Sequence, residues 1–171
     1  MAVLLPPAPP AKAVLPPLES DDFVECYRVQ YPRLVRALRL AGAPVPVAED
    51  LAQEAFARAL SRWRRIAGGP SPAGYVYRTG FRLLSRWFRR RQDAELVEPC
   101  GSVEPGPDAL VTSRVAVERR LGAMPPRRRA CAVMCLVLGF TVKDASEALQ
   151  IAEGTVRKHL EDARSDLREL L

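Results

Sequence analysis

The sequence predicts an all-α fold of two small helical domains joined by a flexible linker, the second containing a helix-turn-helix. Three observations carry this expectation. Apolar residues recur at spacings of three and four in both halves of the chain. The 16 prolines gather mainly in an N-terminal tail, around 44–46 and 70–72, in the 99–107 stretch and at 125–126, so they argue against one continuous bundle. The stretch Gln92 to Asp108 (QDAELVEPCGSVEPGPD) has no period and is rich in Pro, Gly and acid, as a linker is. The boundaries drawn from these breaks are a tail at 1–19, a first domain at 20–92, a linker at 93–108 and a second domain at 109–171.

Composition narrows the function classes. The 171 residues carry 26 basic against 20 acidic side chains, a formal charge of +6, which suits a polyanionic partner and on charge alone fits nucleic acid or a membrane surface. No apolar run approaches the ~18–20 residues needed to span a bilayer, so no membrane insertion is expected. The opening MAVLLPPAPPAKAVLPPL lacks a basic start and is broken by prolines; it reads as a disordered or polyproline-like tail rather than a signal peptide, and the chain as cytoplasmic. Cys26, Cys100, Cys131 and Cys135 form no CxxC, and the single His159 is remote from them in sequence. Cys131 and Cys135 lie one helical turn apart within ACAVMCLVLGF, which suits small buried thiols better than zinc. With no catalytic histidine, phosphate loop or ligand cluster, the chain is expected to be no enzyme and to need no metal or cofactor.

Taken in order, Ser20 is the candidate N-cap of the first helix, with Asp21 and Asp22 at its positive end. Phe23, Tyr27, Leu34, Val35 and Leu38 are its candidate core, and Pro32 marks a kink or boundary before Ala41. Pro46 to Trp63 follows with an apolar face of Val47, Leu51, Ala55, Ala59 and Leu60, Phe56 beside it, and a polar edge of Asp50, Gln53, Glu54 and Arg58. After the loop Gly68–Pro72, the segment GYVYRTGFRLLSRWFRRR (74–91) carries Arg78, Arg82, Arg86 and Arg90 every four residues, beside an apolar face of Val76, Leu83, Leu84 and Trp87. Like charges at this spacing repel unless an anion neutralises them. Arginines mixed with Tyr75, Tyr77, Phe81 and Phe88 suit unstacked bases and phosphates. An Arg-rich solvated face above aromatic core residues is the plainer alternative.

Beyond the linker, Ala109 to Leu121 forms a helix with Leu110, Val111, Val115 and Val117 apolar. Met124-Pro125-Pro126 opens the next, which buries Ala130, Val133, Met134 and Val137 and ends at Gly139. The stretch TVKDASEALQIAEGTVRKHLEDARSDLRELL (141–171) then reads as the helix-turn-helix. Val142, Ala145, Ala148 and Leu149 line a short first helix, Gln150-Ile151 turns the corner, and Val156, Leu160, Ala163 and Leu167 anchor a helix starting at Glu153. Thr155, Arg157, Lys158 and Glu161 fall on or beside its free face, where such a helix meets base edges and phosphates in a major groove. An ordinary pair of amphipathic helices has the same periodicity.

An aromatic-basic helix and a helix-turn-helix, joined by an irregular linker, resemble the extracytoplasmic-function (ECF) sigma factors of the bacterial sigma-70 family over residues 20–171. AEDLAQEAFARALSRW (48–63) is similar to the region 2 helix, and the resemblance implies that Asp50, Gln53, Glu54 and Arg58 dock on the polymerase β′ subunit. The aromatic-basic helix is similar to the one that melts and reads the −10 element, implying roles for Arg64, Arg65, Tyr75, Tyr77, Arg78, Phe81, Arg82, Arg86, Arg89 and Arg90. The C-terminal pair is similar to region 4, implying −35 contacts from Glu153, Thr155, Arg157, Lys158 and Glu161. The implied partners are core RNA polymerase (β′ and β subunits), promoter DNA and a possible anti-sigma factor. The implied function is that of an alternative sigma factor.

Arg82 and Arg86 stand where the family usually has Asn and Asp, Gln150 where it commonly has Gly, and Ala152 where an N-cap is usual; Glu161 and Asp162 replace aromatic or basic residues. These departures leave open a sigma-like decoy that binds a regulator. TVRKHLEDA suggests a LuxR-like regulator as a third reading, which gives residues 50–91 no role.

Overall fold

A computed structural model describes residues 21–93 and 112–168. The tail and, apart from Asp93, the linker lie outside the described residues, as do Ser20, Leu110 and Val111. The described residues are all-α: α1 (Asp21–Leu40), α2 (Val45–Ser61), α3 (Trp63–Ala67) and α4 (Pro72–Asp93) in the first half, then α5 (Thr112–Ala123), α6 (Pro126–Ala132), α7 (Val142–Leu149) and α8 (Glu153–Arg168). No helix among them is long and apolar enough to cross a membrane.

In the first half α1, α2 and α4 pack on one another. Pro32 neither ends nor divides α1. Arg28, whose carbonyl loses its helical donor to the proline, is on the exposed side, where water can satisfy it. Gly42, at φ +107°, makes the turn into α2, and a Cβ there would stand 3.3 Å from the Phe88 ring. The buried face of α2 is Ala48, Ala52, Ala55, Phe56 and Ala59. Val47 and Leu51 are only partly buried, and Leu60, expected in the core, is 56% exposed. Small alanines let neighbouring helices approach, and the bulk comes from Phe56, whose ring meets Phe23, Tyr27 and Tyr31 at centroid distances of 6.2, 4.9 and 6.1 Å. Gly80 does the same for α4, since a Cβ there would be 3.1 Å from Leu34.

In the second half α6 packs on α8 and runs into a π-helical turn at Val133–Val137, which the sequence periodicity did not reveal. The segment ends with Gly139 at φ +73°, and the Leu138 and Phe140 amides donate to the Val133 and Met134 carbonyls at 3.0 and 2.9 Å. Buried residues from both halves form one continuous hydrophobic cluster, because α4 also lies along α7.

Candidate nucleic-acid interface

The helix-turn-helix is fixed by local chemistry at both ends of α7. Thr141 accepts from the Asp144 amide at 3.1 Å while the Asp144 carboxylate accepts from the Thr141 amide and hydroxyl at 3.3 and 2.6 Å, a reciprocal cap. T-x-x-D was readable in the sequence as this cap, although it was not among the expected features. At the other end Gln150 takes the left-handed conformation, φ 55° and ψ 47°, and its amide donates to Ser146. The Ser146 hydroxyl donates to the Ile151 carbonyl at 2.7 Å and seats the corner. Ala152 offers no side-chain cap; the Thr155 and Val156 amides donate to its carbonyl instead.

On α8, Val156, Leu160 and Ala163 are buried, and Thr155, Arg157, Lys158 and Glu161 are exposed, as expected. Glu153 is half-buried and accepts from Arg157 at 2.7 Å, so the two charges offset each other on this edge of α8. Asp162 turns toward α6 at a part-exposed edge and, with Asp166, accepts from Arg128 at 3.0 and 2.9 Å. This acid therefore ties α8 to α6. His159 lies between these edges, and burial, followed by the Arg128 charge, lowers its pKa.

The α2 edge is built on the side opposite the alanines. Asp50, Gln53, Glu54 and Arg58 are all exposed, and Arg58 donates to Glu54 at 2.7 Å. Exposed Leu60 lies two turns from Gln53 on the same side, which makes it an apolar member of this edge. Its seven-residue spacing from Gln53 was the sequence signal.

The aromatic-basic helix divides differently from expectation. Tyr77 and Phe81 are 3% and 0% exposed, so neither ring offers a base-stacking surface in this form. Tyr77 donates to the nearly buried Gln30 at 3.3 Å, and burial pushes its pKa up to about 12. Tyr77, Phe81, Leu84 and Phe88 repeat at four, three and four, which is a core signature that the alternating arginines obscured. Tyr75 is half-buried and its hydroxyl accepts from Arg62 at 3.3 Å. Arg64, Arg65, Arg86 and Arg90 are exposed, with no ion pair among the described residues. Arg78, Arg82 and Arg89 instead reach α7 and its corner. Arg78 pairs with Asp144 at 2.9 Å, Arg82 donates to the Glu147 carbonyl at 3.3 Å, and Arg89 donates to the Gln150 side chain at 2.9 Å. Burial alone would raise the Asp144 pKa, but hydrogen bonds from Thr141 and Arg78 overcome it and leave the pKa lowered.

The thiols are structural in character: burial pushes Cys26 up to about 11, Cys131 to about 12 and Cys135 to about 11. Among the described residues no three His, Cys, Asp or Glu side chains converge as metal ligands.

Comparisons with known proteins agree on one family. The family model for Sigma-70 region 2 matches residues 26–94, and that for Sigma-70, region 4 matches residues 114–167. The RNA polymerase sigma-E factor of Streptomyces coelicolor is 30% identical over 156 residues, 90% of this chain and 88% of that protein. The ECF RNA polymerase sigma factor SigM of Mycobacterium tuberculosis is 28% identical over 151 residues, 87% of this chain and 76% of that protein. In fold the chain is similar to the sigma factor RpoE of Bartonella quintana, solved in complex with the anti-sigma factor NepR. The TM-score is 0.67 at 20% identity, covering 88% of this chain and 96% of that one. CnrH, solved with the cytosolic domain of CnrY, gives a TM-score of 0.55 at 20% identity over 89% of this chain and 88% of that one. The region 2 match accounts for the segment that a LuxR-like regulator would have left without a role. Two sigma regions in order, on a chain 30% identical to a sigma-E factor over 90% of its length, make this protein a member of the ECF sigma factors of the sigma-70 family, which bind core RNA polymerase and direct promoter-specific initiation.

Proposed function

We propose that three faces of this chain divide the work of initiation. The α2 edge of Asp50, Gln53, Glu54 and Arg58, with Leu60 beside it, docks on the β′ subunit of core polymerase. Arg64 and Arg65 of α3 and the arginines of α4 hold the −10 element, and Glu153, Thr155, Arg157, Lys158 and Glu161 of α8 meet the −35 element. The domain boundaries follow: 20–92 for polymerase and −10 binding, 93–108 as linker and 109–171 for −35 binding. The observation that carries this division is the exposure of polar and basic side chains on separate helices above shared apolar cores. Exposed arginines on α3 and α4 support grip on phosphates of a melted strand, and the seated α8 supports reading of an intact groove.

The chain acts in the cytoplasm, where polymerase is, and performs no covalent chemistry of its own. Exposure of the whole α2 edge favours an active factor over a decoy, which has no use for polymerase contacts. An anti-sigma partner is supported by RpoE and CnrH, whose structures are complexes with NepR and with CnrY. Adding the purified chain to bacterial core polymerase on genomic template should yield promoter-specific transcripts. Absence of any such transcript would overturn the proposal.

A further inference from the structure

We infer that the cleft between α4, α6 and the corner at Gln150 is a binding site for a small organic carboxylate with a short apolar body. The site is separate from promoter recognition, and it gives a small molecule a hold on the way the two halves of the chain meet.

The cleft, of about 80 Å³, has an apolar floor and a donor-rich rim. Phe88 of α4, Ala130 of α6, and Leu149 and Ile151 on either side of the corner supply the floor. None of these side chains offers a hydrogen bond, whereas an ordered water needs two to four polar partners, so hydrocarbon covers the floor better than water does. Ala130, 3% exposed, contributes only a methyl, too little to fill the space beneath the corner.

The rim decides the charge of the occupant. Arg89 and Arg127 both line the cleft, and no acidic residue does. Arg127 is exposed and makes no ion pair among the described residues. Arg89 donates to the Gln150 side chain at 2.9 Å through one nitrogen, and a guanidinium carries five donors, so most of its capacity is unspent. An ionised carboxylate, which only accepts, complements such a rim and matches the planar fork of a guanidinium.

Size limits the apolar body. One water takes up about 10–15 Å³ of such space, so the cleft holds roughly five to eight non-hydrogen atoms. A carboxylate on a branched chain of about four carbons fits, isovalerate being a simple example, and a nucleotide does not.

The walls come from both halves: Ser85, Phe88 and Arg89 from α4, the others from the second half. They are held together by the Ser85 hydroxyl, which donates to the Leu149 carbonyl at 3.0 Å, by Arg89 on Gln150, and elsewhere along α4 by the Tyr77 and Phe140 rings, 6.0 Å apart. A carboxylate shared by Arg89 and Arg127 adds a link between α4 and α6. Its binding and the docking of the halves are therefore reciprocal, each strengthening the other.

The full chain carries its own reporter. It has two isoleucines, Ile151 at the cleft and Ile66 in α3 outside it. Carbon-13 labelling of their δ-methyl groups gives one probe and one internal control in the same NMR spectrum. Sodium isovalerate, titrated at an ionic strength held constant with sodium chloride, should shift the Ile151 resonance saturably and leave Ile66 still. The Kd should be about 1 mM or tighter, within reach of so small a ligand. Acetate, which lacks the apolar body, and isovaleramide, which lacks the charge, should each bind about tenfold more weakly or worse. Arg127→Gln should weaken isovalerate binding about tenfold, and Arg127→Lys should restore part of the loss; the residue is exposed, so neither change threatens the fold. An unmoved Ile151 resonance, equal shifts at both isoleucines, or a shift that isovaleramide or inorganic phosphate reproduces would overturn the inference. An Arg127→Gln chain that binds isovalerate as the wild type does would overturn it too, and none of these outcomes depends on promoter binding.

Discussion

Reversing the charge of Asp50 and Glu54 together separates binding from folding on the α2 edge. Glu54 pairs with Arg58 at 2.7 Å, with the two side chains 49% and 43% exposed. An exposed pair of this kind contributes about 0.3–0.5 kcal/mol, and the like-charge pair created by Glu54→Arg costs a similar amount. Asp50 is exposed and is not part of the buried alanine face. The double variant should therefore lose at most about 1 kcal/mol of stability, roughly 2–4 °C in Tm for a chain of this length. Removing an interfacial charge and replacing it with its opposite typically costs about 2–5 kcal/mol of affinity, or roughly 30-fold to several-thousand-fold. Fluorescence anisotropy of the labelled chain against core polymerase measures the second quantity and a thermal melt the first. Affinity within threefold of the wild type at an unchanged Tm would refute the docking assignment. A fall in Tm beyond about 10 °C would refute the reading of Glu54–Arg58 as a surface pair.

Phe56→Ala empties the centre of the aromatic cluster and should cost about 3–5 kcal/mol, read by urea unfolding. Lys158→Ala should weaken binding to a −35 duplex and lower the salt slope by about one, with little change in Tm. Because burial holds the thiols of Cys26, Cys131 and Cys135 protonated, iodoacetamide at neutral pH should modify them slowly in the native chain and rapidly in denaturant, followed by peptide mass. His159 titrates below its ordinary 6.5, so the unfolded chain takes up its proton first. Stability is full above that pH and declines as pH falls below it, and His159→Gln should flatten the fall in Tm between about pH 7 and 5.5.

Most of the architecture was legible because it depends on period and punctuation. The recognition helix starts at Glu153 and buries Val156, Leu160 and Ala163 as its spacing requires, and Gly139 and Gln150 mark the turns they were expected to mark. The misses have a common cause: residues with two chemistries were read for only one. Tyr77 and Phe81 were read as ligands of bases because arginines surround them, yet their spacing with Leu84 is that of a core. Leu60 was read as core because it is apolar, although α2 packs through alanines. Pro32 was read as a kink or boundary, and it is no boundary: α1 runs through it, with Leu34 and Leu38 buried beside an exposed proline. Contacts between the halves, such as Arg78 with Asp144, join positions 66 apart in sequence, and no local pattern carries that information. Asp162 shows the same limit, since its pairing with Arg128 joins positions 34 apart in sequence.

The π-helical turn at Val133–Val137 sets the angular phase of everything downstream. Such a turn accommodates one extra residue, and one residue of an α-helix subtends about 100°. A chain shortened by a single position there would gain a more regular helix and yet deliver Phe140 and α7 rotated by that angle, away from Tyr77 and Asp144's partner. A local improvement would thus be a global misalignment, and the irregular turn is the gear tooth by which the two halves mesh.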